Sequence, residues 1–376
     1  MTAEILESVK AGTPLRISGR STWIDAGRPV DATRIASLAA HAGIVDYVPG
    51  DLTITVKSGT TLGEIEKVTG ENGQWFPLDP FGSREGTIGA TIATGSFGPL
   101  AHAFGRARDL ILGLEFVTGQ GKTVRGGGRV VKNVAGFDLV RLMTGSWGTL
   151  GIITEATLRL YSLPSQPITL SLGVPDSTTA LSQRITSILS APGIPFAVEL
   201  IDSKTAAMLD LADKQQILVK IGGNSATVAA QRAAMDALGG ARNADPEVWD
   251  RLRTIEERVG SVDQPPIVVR ISSLPQNLPK AWCDLRAEIG ESTGAVMHAT
   301  PSLGIIRCVL PGSTDVETIQ RIVSSAREST VIFERLPRDA WSTLSPSVVG
   351  DRLSQRVKKA FDPSNILNPG ILGPSA

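Results

Sequence analysis

The sequence predicts an α+β protein in two parts, and two observations carry the prediction. The 39 glycines of the 376-residue chain crowd between Gly12 and Gly151, where they split short β runs, and they thin out later. After Leu163-Pro164-Ser165 and Pro167 the pattern changes to strands alternating with helices. Alternation on that scale reads as an α+β sandwich, one sheet with helices on a face. The expected organisation is a domain over 1–164 completed by the tail 353–376, with a smaller domain over 165–352.

In chain order, Pro14 to Ser18 reads as a strand entering the turn Gly19-Arg20-Ser21-Thr22. Ala32 to Ala42 has apolar spacing near 3.6 and predicts a helix, which puts His41 on a surface. Leu52 to Lys57 alternates and predicts a half-buried strand. Thr61, with Glu64 three residues on, predicts the N-cap of a helix through Thr69. A glycine-dense block, Gly82 to Gly105, precedes a buried-strand pattern at Ile111 to Thr118 and its hairpin partner Lys122 to Arg125. Ile152 to Leu160 closes this half as a strand. In the second part, strands are expected at 168–174, 196–201, 216–222, 268–272 and 303–310. Helices are expected at 178–189, 226–238, 280–289 and 314–328. The tail reads as a helix followed by an Asp-Pro and Asn-Pro-Gly turn segment.

Composition narrows the function classes. Lys+Arg and Asp+Glu balance at 37 each, and no basic stripe marks a nucleic-acid binder. Two cysteines, Cys283 and Cys308, are too few for a disulfide framework or an iron–sulfur cluster. No apolar run approaches the roughly 20 residues that span a bilayer, and Met1 to Lys10 lacks an apolar signal core. The expected location is cytoplasmic, with any membrane association made through a partner.

Three blocks carry chemistry. In Arg16-Ile-Ser-Gly-Arg-Ser-Thr-Trp23 a strand leads into a turn that points backbone N–H groups at one spot, as a pyrophosphate requires. An ordinary hairpin turn fits the same residues. Thr87-Ile-Gly-Ala-Thr-Ile-Ala-Thr-Gly95 places small residues where backbone approaches something closely, and its threonines add hydroxyl donors. A glycine-rich loop packed on a neighbouring sheet is the alternative. No G-x-G-x-x-G opens a helix after a strand, which argues against a Rossmann site. The third block is Lys132-Asn-Val-Ala-Gly-Phe-Asp-Leu139, followed by the glycine-rich Leu142 to Thr154.

These blocks in this order, with Gly105…Arg108-Asp109 and the tail Phe361-Asp-Pro-Ser-Asn-Ile-Leu-Asn-Pro-Gly370, resemble the p-cresol methylhydroxylase (PCMH)/vanillyl-alcohol oxidase class of flavoproteins. The Lys132 run and the short second domain most resemble the smaller FAD-binding subunits of bacterial glycolate oxidases (glycolate dehydrogenases). The resemblance implies a PCMH-type two-lobed FAD-binding domain plus a smaller α+β cap domain. It implies that Ile17, Ser18, Gly19, Arg20, Ser21 and Thr22 form the pyrophosphate turn. Pro77, Leu78 and Asp79, Thr87, Ile88, Gly89 and Ala90, and Ala93, Thr94 and Gly95 would line the ribose, pyrophosphate and flavin. Arg108 and Asp109 would stabilise the adjoining segment; independently of the resemblance, the adjacent Asp109 and the apolar run toward Leu112 make Arg108 a candidate for a buried pair. Gly151, Ile152 and Ile153 would offer backbone groups to the adenine side.

Many members of the class attach FAD through a His or Cys. Here His102 reads as a solvated loop residue and both cysteines fall in the cap, so FAD is expected to be non-covalent. Lys132, Arg106 and Arg108 are the cations of the flavin-like blocks, and a fixed cation near N1 would favour reduced flavin. No catalytic set can be assigned. Related hydroxyacid dehydrogenases carry a His-rich metal motif; Met297 to Arg307 keeps one histidine and no carboxylate, so no metal is expected. His298, Arg307 and Arg335 could act as base and carboxylate-binding cations, and solvated or structural roles fit them equally. Three functions remain open: a subunit of a complex oxidising a 2-hydroxy acid to a 2-oxo acid, beside a catalytic flavoprotein subunit and an iron–sulfur subunit; a stand-alone flavin dehydrogenase; and an assembly subunit that binds FAD weakly or not at all.

Overall fold

The computed structural model describes residues 2–128, 137–290, 293–326, 328–345 and 351–373. Lys132 and the Asn-Val-Ala-Gly that follows it lie outside the described residues. The chain divides into two compact units: Met1–Gly98, Phe104–Leu163 and Ser345–Ala376 form one, and Pro99–Ala103 with Pro164–Leu344 form the other. The fold is α+β.

The first unit is built on a five-stranded antiparallel sheet. Its strand order is Ile44–Val48, Thr53–Lys57, Ile152–Arg159, Ile111–Val117, Thr123–Gly127. The alternation of Thr53–Lys57 sends Ile54 and Val56 into a core with Ile65, Ile88, Ile92, Phe116 and Leu158. Helix Leu62–Gly70 starts where the sequence places its cap: Thr61 Oγ1 accepts from Glu64 N at 3.0 Å, and Thr61 N donates to Glu64 Oε2 at 2.8 Å. The glycine-dense block contains a helix, Ile88–Thr94, which buries Ile88 and Ile92 against the sheet.

The helix expected at Ala32 to Ala42 does not form. Arg34–Ser37 is a strand paired in parallel with Leu15–Ser18, and Ile35 stays 65% exposed. Pairing with a neighbouring strand outweighs an eleven-residue apolar period that too few residues define. His41 follows in a turn and is buried rather than on a surface. Burial, aided by Lys57, holds its imidazole below the ordinary range.

The C-terminal segment belongs to this unit. Leu15 N donates to Ile366 O at 2.7 Å and Asn368 N to Leu15 O at 3.0 Å, so the tail lies beside the first strand. Asp362, 1% exposed, orders the turn. Its carboxylate accepts from Ile366 N (3.1 Å), Leu367 N (2.9 Å) and Lys358 Nζ (2.7 Å).

The second unit is one eight-stranded sheet, antiparallel throughout: Ala241–Asn243, Ile168–Gly173, Gln216–Ile221, Ala197–Ile201, Val296–Thr300, Ile305–Leu310, Ile267–Ser272, Thr330–Arg335. Helices Thr178–Leu189, Ser225–Ala237, Leu278–Ile289 and Val316–Ser325 contribute to the apolar core with residues such as Leu172, Leu200, Met297, Ile306 and Cys308. The opposite face carries charge. His298 pairs with Arg307 and Arg307 with Arg270, so their side chains share a face. Two-residue steps from Ile201 and Ile332 put Glu199 and Glu334 on it as well.

Candidate cofactor site

A cavity in the first unit collects segments far apart in sequence. The turn after the first strand forms one wall, the helix Ile88–Thr94 another, and Trp147, Gly148, Gly151, Ile153, Asn368 and Ile371 the rest. Glycine sets how close the walls come: a Cβ on Gly19 would lie 2.1 Å from Thr87 Oγ1. Ser21 (φ 61°), Trp147 (φ 54°) and Asn368 (φ 44°) adopt left-handed backbone, and all three line the cavity. Strained conformations of this kind gather where a binding surface must be shaped.

The donors in the cavity are side chains more than helix N–H groups. Ile88 N is spent on Thr60 O (3.0 Å) and Gly89 N on Ser58 O (2.9 Å). By contrast, Ser18 Oγ, Ser58 Oγ and Thr87 Oγ1 are buried with no hydrogen-bond partner among the described residues. Buried hydroxyls are ordinarily satisfied, so three orphans on one cavity suit a ligand rich in acceptor oxygens. Arg16 adds a fixed positive charge. Its Nη2 donates to Ile24 O at 2.8 Å. Burial pushes its pKa below the ordinary value, partly offset by Asp25. Arg20 pairs with Glu85 at 3.0 Å, both well exposed. Hydroxyl donors, the half-buried Arg16 guanidinium and aromatic walls of Trp23 and Trp147 match the phosphate and ring parts of FAD.

The structure brings thirteen of the nominated residues to the cavity: Ile17, Ser18, Gly19, Arg20, Ser21, Thr22, Thr87, Gly89, Ala90, Ala93, Thr94, Gly151 and Ile153. Eight are not in its lining. Ile88 and Ile152 point into the core. Gly95 closes the helix with φ 65°. Pro77, Leu78 and Asp79 stop short of the lining, which in this segment begins at Pro80; Asp79 packs on Gly98, where a Cβ would meet Asp79 O at 1.9 Å. Asp109 Oδ2 accepts from Arg106 N at 2.9 Å. Arg108 is not a buried pair. Its side chain is 54% exposed and stands 3.8 Å from Asp109, because Leu110, not Arg108, takes the inward position of helix Ala107–Leu110. Arg108→Ala is therefore expected to change stability by less than about 0.5 kcal/mol and to leave the flavin-to-protein ratio at wild type. Thermal unfolding and an absorbance ratio check this.

Sequence reasoning missed Arg16, Ser58, Trp23, Trp147 and Asn368 as cavity residues. Arg16, Trp23, Trp147 and Asn368 stood inside the flavin-like blocks without being nominated; Ser58 stood outside them.

Among the described residues no histidine or cysteine lines the cavity. His102 is partly buried and hydrogen-bonds Ser302 Oγ through Nδ1 at 2.6 Å, rather than standing in solvent; burial lowers its pKa. His298 has a carboxylate after all, supplied by Glu199 from the neighbouring strand: Nδ1 to Oε1 is 2.7 Å, and Thr300 Oγ1 donates to Glu199 Oε2 at 2.8 Å. Arg307 and Arg335 are committed to Glu256. No group of three or more His, Cys, Asp or Glu side chains that could hold a metal occurs among the described residues.

Residues 2–127 match the family described as FAD binding domain, and 338–372 match FAD linked oxidases, C-terminal domain. The chain is 30% identical over 371 residues to glycolate oxidase subunit GlcE of Escherichia coli K12, covering 98% of this chain and 95% of that one. It is 28% identical to glycolate oxidase subunit GlcD of Bacillus subtilis 168 (87% and 76% covered). It is 27% identical to a probable mitochondrial D-lactate dehydrogenase of Danio rerio (89% and 74%). Among solved structures, alkyldihydroxyacetonephosphate synthase superposes with a TM-score of 0.70 at 17% identity, covering 98% of this chain and 73% of that one, which shows the shared fold. The chain belongs to the PCMH-type FAD-linked oxidase family, whose members are FAD-dependent oxidoreductases.

Proposed function

We propose that this chain is the FAD-binding subunit of a glycolate oxidase or glycolate dehydrogenase complex that oxidises a 2-hydroxy acid to a 2-oxo acid. The observation that carries this reading is the similarity to a glycolate oxidase subunit along 98% of the chain. The cavity of the first unit is the proposed FAD site, held non-covalently. Ser18, Ser58 and Thr87 would donate to the phosphates or ribose, with Arg16 balancing charge. Bound FAD supplies the acceptor for the hydride leaving C2 of the substrate. The proposed partners are a larger catalytic flavoprotein subunit and an iron–sulfur subunit. Two cysteines, one of them buried, fall short of the four thiolates a cluster requires. No helix among the described residues is long and apolar enough to cross a membrane. The proposed location is the cytoplasm, with contact to the inner face of the membrane made through partners.

The test is purification of the tagged chain from its native host. The expected result is a yellow complex with a second flavoprotein and an iron–sulfur subunit, from which acid releases intact FAD. A monomer fully active on glycolate would overturn it. That outcome would favour a stand-alone dehydrogenase, a reading supported by the relative named D-lactate dehydrogenase and by the Glu199–His298 pair, which has the chemistry of an oriented base. Substrate-dependent bleaching of the isolated chain's flavin would identify it. A colourless protein that gains no flavin on reconstitution would point to an assembly subunit.

A further inference from the structure

The cavity walls are remote in sequence, and one side chain ties them together. Asn368 Oδ1 accepts from Ile17 N at 2.7 Å, across 351 residues of chain. Its Nδ2 donates to Trp147 O at 2.7 Å. The residue is 4% exposed and lines the cavity itself. Its neighbour across the wall is Gly148, where a Cβ would stand 2.8 Å from Asn368 Nδ2, so glycine leaves room for the amide. Trp147, held by this bond and by its own N–H to Ala93 O (2.7 Å), stacks on Trp23 with ring centroids 6.3 Å apart. Asn368 thus fixes both the turn that begins at Ile17 and the aromatic wall.

We propose that Asn368 is a positioning residue for the cofactor: through it, docking of the C-terminal segment 362–371 and FAD affinity are coupled, each favouring the other. The proposal rests on the cavity being the FAD site. The amide serves both ends, because one wall presents a donor and the other an acceptor. An aspartate keeps the bond from Ile17 N but sets an anionic oxygen against the Trp147 carbonyl. An alanine leaves both backbone groups without it. The tail does not depend on Asn368 alone. Asp362, Lys358 and the backbone bonds to Leu15 anchor it, so Asn368 variants are expected to fold. Coupling between two binding events is reciprocal, so FAD is expected to protect the tail as much as the tail holds FAD.

The experiment uses the full chain stripped of flavin, titrated with FAD, with hydrogen exchange measured in both states. Wild type is expected to gain protection at 17–22, at 87–94 and at 362–371. Asn368→Asp and Asn368→Ala are expected to weaken FAD binding about tenfold or more, one hydrogen bond's worth, and to lose the FAD-dependent protection of 362–371. Leu367→Val is the comparison: Leu367 is fully buried in the same segment, so it should lower the melting temperature while FAD affinity stays within about twofold. If FAD protects 17–22 and 87–94 but Asn368→Asp binds within twofold of wild type, the coupling is refuted and the site stands. If affinity falls equally in Leu367→Val and Asn368→Asp for equal loss of melting temperature, Asn368 is only structural and the proposal fails. If FAD protects neither 17–22 nor 87–94, the site reading fails first.

Discussion

Replacing Gly89 by valine is expected to abolish FAD retention, and to do so by breaking the wall of the site. A Cβ on Gly89 would stand 2.6 Å from Ser58 Cβ and 2.9 Å from Ser58 O. The obstacle is therefore the strand end beneath the helix, not the cofactor space that the sequence alone suggested. Ser58 cannot retreat easily: its N–H is bonded to Thr154 O at 2.8 Å, and its carbonyl accepts from Gly89 N. Helix Ile88–Thr94 would have to lift, pulling Thr87, Ala90 and Ala93 out of register with Ser18 and Ser58. Overpacking of this kind costs roughly 1–3 kcal/mol, more where backbone blocks relief. The expected result is a flavin-to-protein ratio near zero with a melting transition of the first unit several degrees lower. Gly89→Ala should fall between. A valine variant with wild-type flavin content and melting temperature would show that the helix does not form the site's wall.

The legibility of this protein in its sequence follows locality. The capping box at Thr61 and the turn after Ile17 were readable because each is written in a few consecutive residues. The alternating strand Thr53–Lys57 was readable because one of its faces is buried in the core. Val296–Thr300 was missed because it is buried on both faces, and a central strand that carries Met, His and Thr shows no alternation. Ile44–Val48 and Thr330–Arg335 are short and largely half-exposed, so their apolar signal is weak. At the site, the local turn and the small-residue block 87–95 were visible, but not that the block folds as a helix. Ser58, Trp147 and Asn368 were not, since nothing in a linear chain says that Asn368 will stand beside Ile17. The same applies to Glu199, whose value to His298 exists only across a strand pairing.

The charged face of the second unit yields the other large effect. Arg270 and Arg307 stand directly opposite each other in register, an arrangement that like charges disfavour. Carboxylates relieve it. Glu334 accepts from Arg307 Nε at 2.9 Å and lies 3.5 Å from Arg270 Nε. Glu256 bridges Arg307 and Arg335 (2.8 Å to the latter), with side-chain exposures of 7% for Glu256, 4% for Arg307 and 10% for Arg335. Burial works against the Arg307 charge, but Glu256 and Glu334 outweigh it and hold its pKa above the ordinary arginine value. Glu256→Ala would remove the buried carboxylate that Arg307 and Arg335 share. Breaking a buried pair from one side costs about 3–5 kcal/mol, a large part of the ~5–15 kcal/mol that holds a domain. The expected melting transition of the second unit falls by roughly 6–20 °C, at about 2–4 °C per kcal/mol for a unit of this size. Glu256→Gln, which keeps one acceptor but loses the charge, should lie between. Glu247→Ala provides the contrast: its pairing with Arg251 involves a side chain 80% exposed, and its loss is expected to cost less than about 0.5 kcal/mol. In Glu256→Ala/Arg335→Ala the second change removes one of the two cations that Glu256 pairs, so the double variant should be less destabilised than the sum of the two singles. Strict additivity, or a Glu256→Ala transition within 2 °C of wild type, would mean that the cluster does not depend on Glu256 for its charge balance.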